Sequence, residues 1–166
     1  ERYVANYDHL AIAGVGLAGN RSNFNRWMDE VWGKYLTDGA GRARVRVHGF
    51  AITAMDAMVR YPWYSVDSST WARIGALGGV MHPDIGVISM SDKSPDRKVA
   101  GQHYDNYSPP EREALRAHFA ALGYPAETLQ KHHDYRWTYN CWSFSEVNRR
   151  INREDKTFIR PQETFF

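Results

Sequence analysis

Phe24, Trp27, Met28, Val31, Trp32, Tyr35 and Leu36 recur at intervals of three and four, the spacing of a single helical face. A stripe this long and this aromatic must be buried against something. The flanking sequence says what. His9–Ala13 is a short apolar run ending in glycines, which suits a buried strand, and Asn20 or Ser22 can cap the helix that follows. Thr37-Asp38-Gly39 ends that helix, and from Arg42 to Val47 arginine alternates with Ala or Val, the period of a strand with one apolar side. Thr53-x-x-Asp56 resembles a capping box opening a short helix through Val59. Pro62–Val66 supplies a third strand-like run, and Asp67-Ser68-Ser69-Thr70 offers caps for a helix around Trp71. Three strand–helix units predict adjacent parallel strands joined by right-handed crossovers, with helices on one side. An eight-unit parallel barrel takes about 250 residues. With 166 residues, the chain is either an open α/β sheet or the C-terminal part of a (β/α)8 barrel begun upstream or on another chain.

After Gly78 the pattern changes. Val80–Met90 predicts a hairpin around Pro83-Asp84, and the polar stretch Ser91–Tyr107 reads as a long loop or lid. Ser108-Pro109-Pro110-Glu111 is a helix start, with Leu115, Phe119 and Leu122 on one face and Gly123 as the stop. A longer aromatic helix is expected from about His133 to Ile151, and the tail from Asn152 to Phe166 shows no period. The expected organisation is therefore residues 1–90 as barrel-type units and 91–166 as a lid, or linker, and helical extension.

Composition narrows the functional classes only modestly. Twenty-one Lys and Arg against 19 Asp and Glu give a formal charge of +2, which neither requires nor excludes nucleic acid. No run approaches the roughly 18 apolar residues of a membrane span. A single cysteine, Cys141, excludes an internal disulfide framework and a cysteine-rich zinc cluster. The absence of an apolar leader after Glu1 sets the expectation of a cytoplasmic protein with no membrane partner.

Gly14-Val15-Gly16-Leu17-Ala18-Gly19 fits the spacing of a dinucleotide fingerprint. That mechanism needs the helix to begin within the glycines and an acid about 20 residues on, at the end of the second strand. Here the caps follow the third glycine and the second strand ends at His48. A tight turn, or a close approach of backbone to a planar ligand, explains the glycines as well.

Taken together, the three strand ends resemble the last strands of the tRNA-guanine transglycosylase superfamily. That family carries Gly-Gly-Leu-Ala-Val-Gly, then Leu-Met-Gly-Val-Gly-Thr, then Met-Phe-Asp-Cys-Val followed by Pro-Thr-Arg. This chain has Val15-Gly16-Leu17-Ala18-Gly19, then Val47-His48-Gly49-Phe50-Ala51-Ile52-Thr53, then Tyr64-Ser65-Val66-Asp67-Ser68-Ser69-Thr70, in the same order. The likeness covers residues 8–75 and is greatest to phage-borne members that modify DNA. It implies exchange of guanine for a 7-deazaguanine in DNA or tRNA, with Asp67 as the nucleophile on the sugar C1′. Gly16, Leu17 and Ala18 would approach the base through their backbone, and His48 and Gly49 would lie under it, His48 replacing a stacking methionine. The implied partners are a guanine-containing nucleic acid, the incoming deazaguanine, and another chain or upstream segment that completes the barrel. The family's zinc site uses three cysteines and a histidine, so here neither metal nor other cofactor is expected. Its acid–base aspartate belongs to earlier strands.

Each residue also has a plainer role. Asp67 before Ser-Ser-Thr is a good helix N-cap, and His48 could be a hydrogen-bonded core histidine. His103, His132, His133, Asp134 and Cys141 are potential ligands at spacings that match no standard zinc pattern. The cluster Trp137, Tyr139, Trp142 and Phe144 suits a docking helix, and Arg42, Arg44 and Arg46 could meet phosphates or simply be solvated. The rival functions are an inactive accessory protein, possibly of a phage, that keeps the half-barrel, and a nucleotide-binding α/β module.

Overall fold

A computed structural model describes residues 1–13, 21–52, 54–99, 101–151 and 156–159. The chain forms two compact units. One comprises Glu1–Ser68 with the tail from Ile151, the other Ser69–Arg150. The hairpin beyond Gly78 therefore groups with the later helices rather than with the parallel strands.

In the first unit a short helix α1 (Arg2–Asn6) precedes β1 (His9–Ile12), α2 (Arg21–Val31), β2 (Arg46–Gly49), α3 (Met55–Arg60) and β3 (Ser65–Val66). The strands form a parallel sheet in the order β1-β2-β3. Phe24, Met28, Trp32 and Leu36 of the stripe are buried and Val31 is half-buried, whereas Trp27 and Tyr35 on its flank are exposed. The last turn of that helix, Trp32–Leu36, is wound as a π turn, closed by the Thr37 amide on the Trp32 carbonyl at 3.1 Å. Tyr61 stacks on Trp32 with centroids 5.9 Å apart, Trp63 meets it edge-on at 5.2 Å, and Phe158 of the tail stacks on Tyr61 at 5.6 Å. Beside this core Asp29 receives a two-pronged bond from Arg60, at 2.8 and 2.6 Å, and the Tyr61 hydroxyl at 2.9 Å.

Two strand expectations need correction. The second strand begins at Arg46, not Arg42, because residues 38–44 are committed to a tight reversal. Asp38 Oδ1 accepts the amides of Ala40 and Arg42, and the Arg44 amide returns to the Leu36 carbonyl. The third strand begins at Ser65, not Pro62, since proline lacks an amide hydrogen and Trp63 turns into the core, its Nε1 donating to the Ala57 carbonyl at 2.9 Å. Thr53 lies outside the described residues; Ala54 holds the N-cap position of α3.

The second unit contains α4 (Thr70–Ala76), the antiparallel hairpin β4 (Gly79–His82) and β5 (Gly86–Ser89), then α5 (Pro109–Ala121), α6 (Ala126–Lys131) and α7 (His133–Ile151). α7 ties the unit together. Arg136 is buried and donates to the carbonyls of Gly75, Leu129 and Gln130, the last turns of α4 and α6. Those carbonyls carry the negative ends of two helix dipoles, so the guanidinium finds its counter-charge in backbone. Asn140 accepts the Met81 amide and donates to the Trp71 carbonyl, and Trp137 Nε1 donates to Ala72. The stretch 91–107 contains two 3-10 turns, Pro95–Lys98 and Tyr104–Asn106, and buried His103 donates through Nε2 to the Ser91 carbonyl and accepts the Asp105 amide.

Candidate functional site

Pairing across β1, β2 and β3 sets His9 beside Arg46, Ala11 beside His48, and His48 beside Ser65. Paired residues share a face, and alternation sends their neighbours to the other. Val47 and Gly49 point into the buried side, whereas His9, Ala11, Arg46 and Ser65 are exposed. A parallel sheet is ordinarily covered on both faces. Here one face carries polar side chains and stands open.

His48 and Asp67 meet at the carboxyl end of this open face. The Asp67 amide donates to the Gly49 carbonyl at 3.1 Å, continuing the β2–β3 ladder one residue past the strand. Its carboxylate Oδ1 accepts the Ala51 amide at 3.0 Å, and Oδ2 lies 3.7 Å from His48 Nε2. The other nitrogen of that ring, Nδ1, is 2.8 Å from the Ser65 hydroxyl, and Phe50 meets the ring edge-on at 4.7 Å. The Asp67 side chain is 57 % exposed and that of His48 29 %. A carboxylate with one oxygen fixed by a backbone amide and the other presented at an open sheet edge can serve as a nucleophile or as an anchor for a cation.

The plainer role for Asp67 finds a different form. Ser69, not Asp67, holds the N-cap position of α4. Asp67 instead secures the turn after β2, where Ala51 has φ 58, a left-handed conformation uncommon outside glycine. Gly49 is buried, and a Cβ there would meet Ile52 Cγ1 at 2.7 Å and the Trp63 ring at 2.9 Å. Sheet–core packing is thus sufficient reason for this glycine. Gly16, Leu17 and Ala18 lie outside the described residues.

The remaining candidate ligands are dispersed among other tasks. His132 packs on Tyr135, His133 meets Trp137 edge-on, and Cys141 is exposed. Among the described residues no three His, Cys, Asp or Glu side chains gather as a metal would require. None of the described helices is long and apolar enough to cross a membrane.

A cavity of about 650 Å³ opens at the other end of the sheet, where the strands begin. Its walls include Asp8, His9, Arg44, Arg46, Tyr64 and Lys156. The alternating arginines were a visible signal for part of it. Its partner from the tail, Lys156, was not, because nothing in a stretch without a period marks where it returns.

The chain matches no family model, no curated protein and no solved structure.

Proposed function

We propose that the first unit is the C-terminal part of a (β/α)8-type barrel that exchanges guanine in DNA or tRNA for a 7-deazaguanine, with Asp67 as its nucleophile. The observation that carries this reading is the setting of Asp67: a carboxylate at the carboxyl end of a parallel strand, oriented through Oδ1 and presenting Oδ2 beside His48. The open polar face of the sheet supports it further, because closure by additional strands, from another chain or an upstream segment, would turn that face into a barrel interior.

In this mechanism Asp67 Oδ2 attacks C1′ as the C1′–N9 bond to guanine breaks, and the departing base takes a proton from the acid–base aspartate that the resemblance assigns to the earlier strands. The result is a sugar esterified to Asp67. The N9 of the incoming deazaguanine then attacks C1′, gives its proton back to that aspartate, and breaks the ester, which returns the Asp67 carboxylate. Charge on the ring is greatest midway through each step, in an oxocarbenium-like transition state that the carboxylate stabilises. His48, held by Ser65, would lie against the base as an aromatic face.

Exchange of labelled guanine into DNA and into tRNA tests the proposal, alongside trapping of a protein–nucleic acid adduct on a denaturing gel. Asp67→Asn keeps the acceptor oxygen for Ala51 and removes the anion. Loss of both adduct and exchange, with the melting temperature unchanged, is the expected result. Exchange that survives in this variant rules out the nucleophile.

A further inference from the structure

The cavity at the amino ends of β1, β2 and β3 lies at the opposite end of the sheet from Asp67, and its chemistry differs. Arg44, Arg46 and Lys156 bring three cations to its walls, against the single carboxylate of Asp8. Among the described residues none of the three is paired with a carboxylate: Arg44 reaches only the Tyr35 carbonyl, at 3.5 Å, and Arg46 lies 3.2 Å from His9 Nε2. Since a guanidinium only donates, Nε2 is the acceptor of this bond. Arg46 also sits over the Tyr64 ring, 5.2 Å from its centroid, and His9 meets the same ring edge-on at 5.8 Å. The guanidinium is therefore held in place by neutral groups that leave its charge uncompensated. Lys156 is half-buried, and burial without a counter-charge lowers its pKa from the usual lysine range. Tyr64 remains 62 % exposed, offering an aromatic surface beside the cations.

We infer that this cavity binds a phosphate ester, with Arg44, Arg46 and Lys156 taking the phosphoryl oxygens and Tyr64 lying against the adjoining planar group. Cations with unused donors around a concave space are satisfied by an anion with several acceptor oxygens, and arginine forks match phosphate geometry. The exposed tyrosine favours a nucleoside phosphate over inorganic phosphate through stacking. The same chemistry is offered by a free mononucleotide and by a phosphodiester in a nucleic acid strand. The inference does not depend on the transglycosylase reading, since neither Asp67 nor His48 takes part.

The test is titration of the full chain with inorganic phosphate, guanosine 5′-monophosphate and a single-stranded oligonucleotide at two salt concentrations, followed by fluorescence anisotropy or calorimetry. Saturable binding of the mononucleotide or the oligonucleotide is expected. Arg44→Gln and Lys156→Gln should each weaken it about tenfold, the loss of one charge-assisted contact, whereas Lys131→Gln, an exposed residue at the end of α6, should not. A strand ligand would add a steep salt dependence whose slope falls by about one for each cation removed; a free nucleotide would not need one. Amide shifts on the unmodified protein give a readout that no folding defect can confuse, and they should cluster at residues 44–46, Tyr64 and Lys156. Absence of saturable binding by any probe overturns the inference, and so does binding that leaves those amides unshifted. Loss of binding in Arg44→Gln with guanine exchange intact would separate this site from the chemistry at Asp67.

Discussion

The two units solve the burial of polar groups in opposite ways. In the second, α7 carries Arg136 and Asn140 into the interior, where Arg136 Nε and Nη1 and the Asn140 amide donate to backbone carbonyls, so the polar groups act as ties between helices and hairpin. In the first, the interior is aromatic, built from Trp32, Tyr61, Trp63 and Phe158, and the polar side chains His9, Arg46, His48 and Asp67 lie on the open face or at its ends. Polar groups that are saturated by backbone have nothing left to offer a ligand. Those left on an open face do. The contrast marks one set as ties between elements and leaves the other accessible to solvent and ligands.

The largest expected effect on recognition is that of Asp67→Asn, a fall in exchange of orders of magnitude at nearly constant stability. The largest on stability lies in the second unit. Arg136→Met removes the cation from the ends of α4 and α6 and strips the Leu129 carbonyl of its donor, leaving Gly75 and Gln130 only their backbone partners, a cost of about 3 kcal/mol. Hydrogen exchange read peptide by peptide should quicken in Ser69–Arg150 and not in 21–52. Equal quickening in both would break the comparison. Gly75→Ala acts at the same junction: its Cβ would fall 2.4 Å from Trp137 Cδ1, so α4 and α7 must separate, at about 2 kcal/mol.

A pH effect sharpens the contrast from the titrating side. His82 and His118 face each other with ring centroids 4.5 Å apart, and burial lowers the pKa of both below the usual imidazole value of 6.5. His82 accepts the amides of Asp84 and Ile85 through Nδ1, and His118 Nε2 bonds the Tyr139 hydroxyl. Asp84, itself paired with Arg150, favours the charged form of both rings, but burial outweighs it. With folded pKa values below the unfolded one, the unfolded chain binds more protons. The stabilisation is thus complete above pH 6.5 and is lost as the pH falls through the lowered values. Melting followed from pH 7.5 to 5 should show the second unit weakening first, and His118→Leu should flatten the dependence. A melting temperature independent of pH across that range would refute the assignment.

Local patterns were legible in the sequence wherever one element sufficed to express them. The buried positions Phe24, Met28, Trp32 and Leu36 of the stripe, the hairpin after Gly78 and the helix start at Ser108, where the Ser108 amide donates to Glu111 at 2.9 Å, all stand in the structure; Trp27 and Tyr35, counted with the stripe, are exposed. The parallel pairing of the three strands follows the crossover rule. Strand starts were misplaced because an alternating pattern at Arg42–Val47 does not reveal that Asp38 has already bent the backbone. Arg136 reads as a surface charge on an amphipathic helix; only the convergence of two helix ends makes its burial favourable. At the site, Asp67 and His48 were legible as residues at strand ends, and their mutual distance was not. The cavity around Arg44 and Arg46 needed a lysine more than a hundred positions away.

The smallest expected effect tests whether the first unit stores strain for its carboxylate. Ala51 at φ 58 costs about 1 kcal/mol relative to an ordinary conformation, and the bond from its amide to Asp67 Oδ1 is what the turn offers in return. Ala51→Gly relieves the steric cost but gives the unfolded chain more freedom, and the two terms nearly cancel, leaving a net change below about 1 kcal/mol of either sign. Stability is therefore a poor readout on its own. Positioning is a better one: glycine keeps the amide that donates to Asp67 Oδ1 but frees the backbone to leave φ 58, so the carboxylate loses part of its orientation. Exchange should fall severalfold while the melting temperature moves by only a few degrees, and KM should stay constant because the residues facing the base are untouched. A variant with wild-type exchange would show that the Ala51 amide holds the turn alone and that Asp67 is oriented by His48.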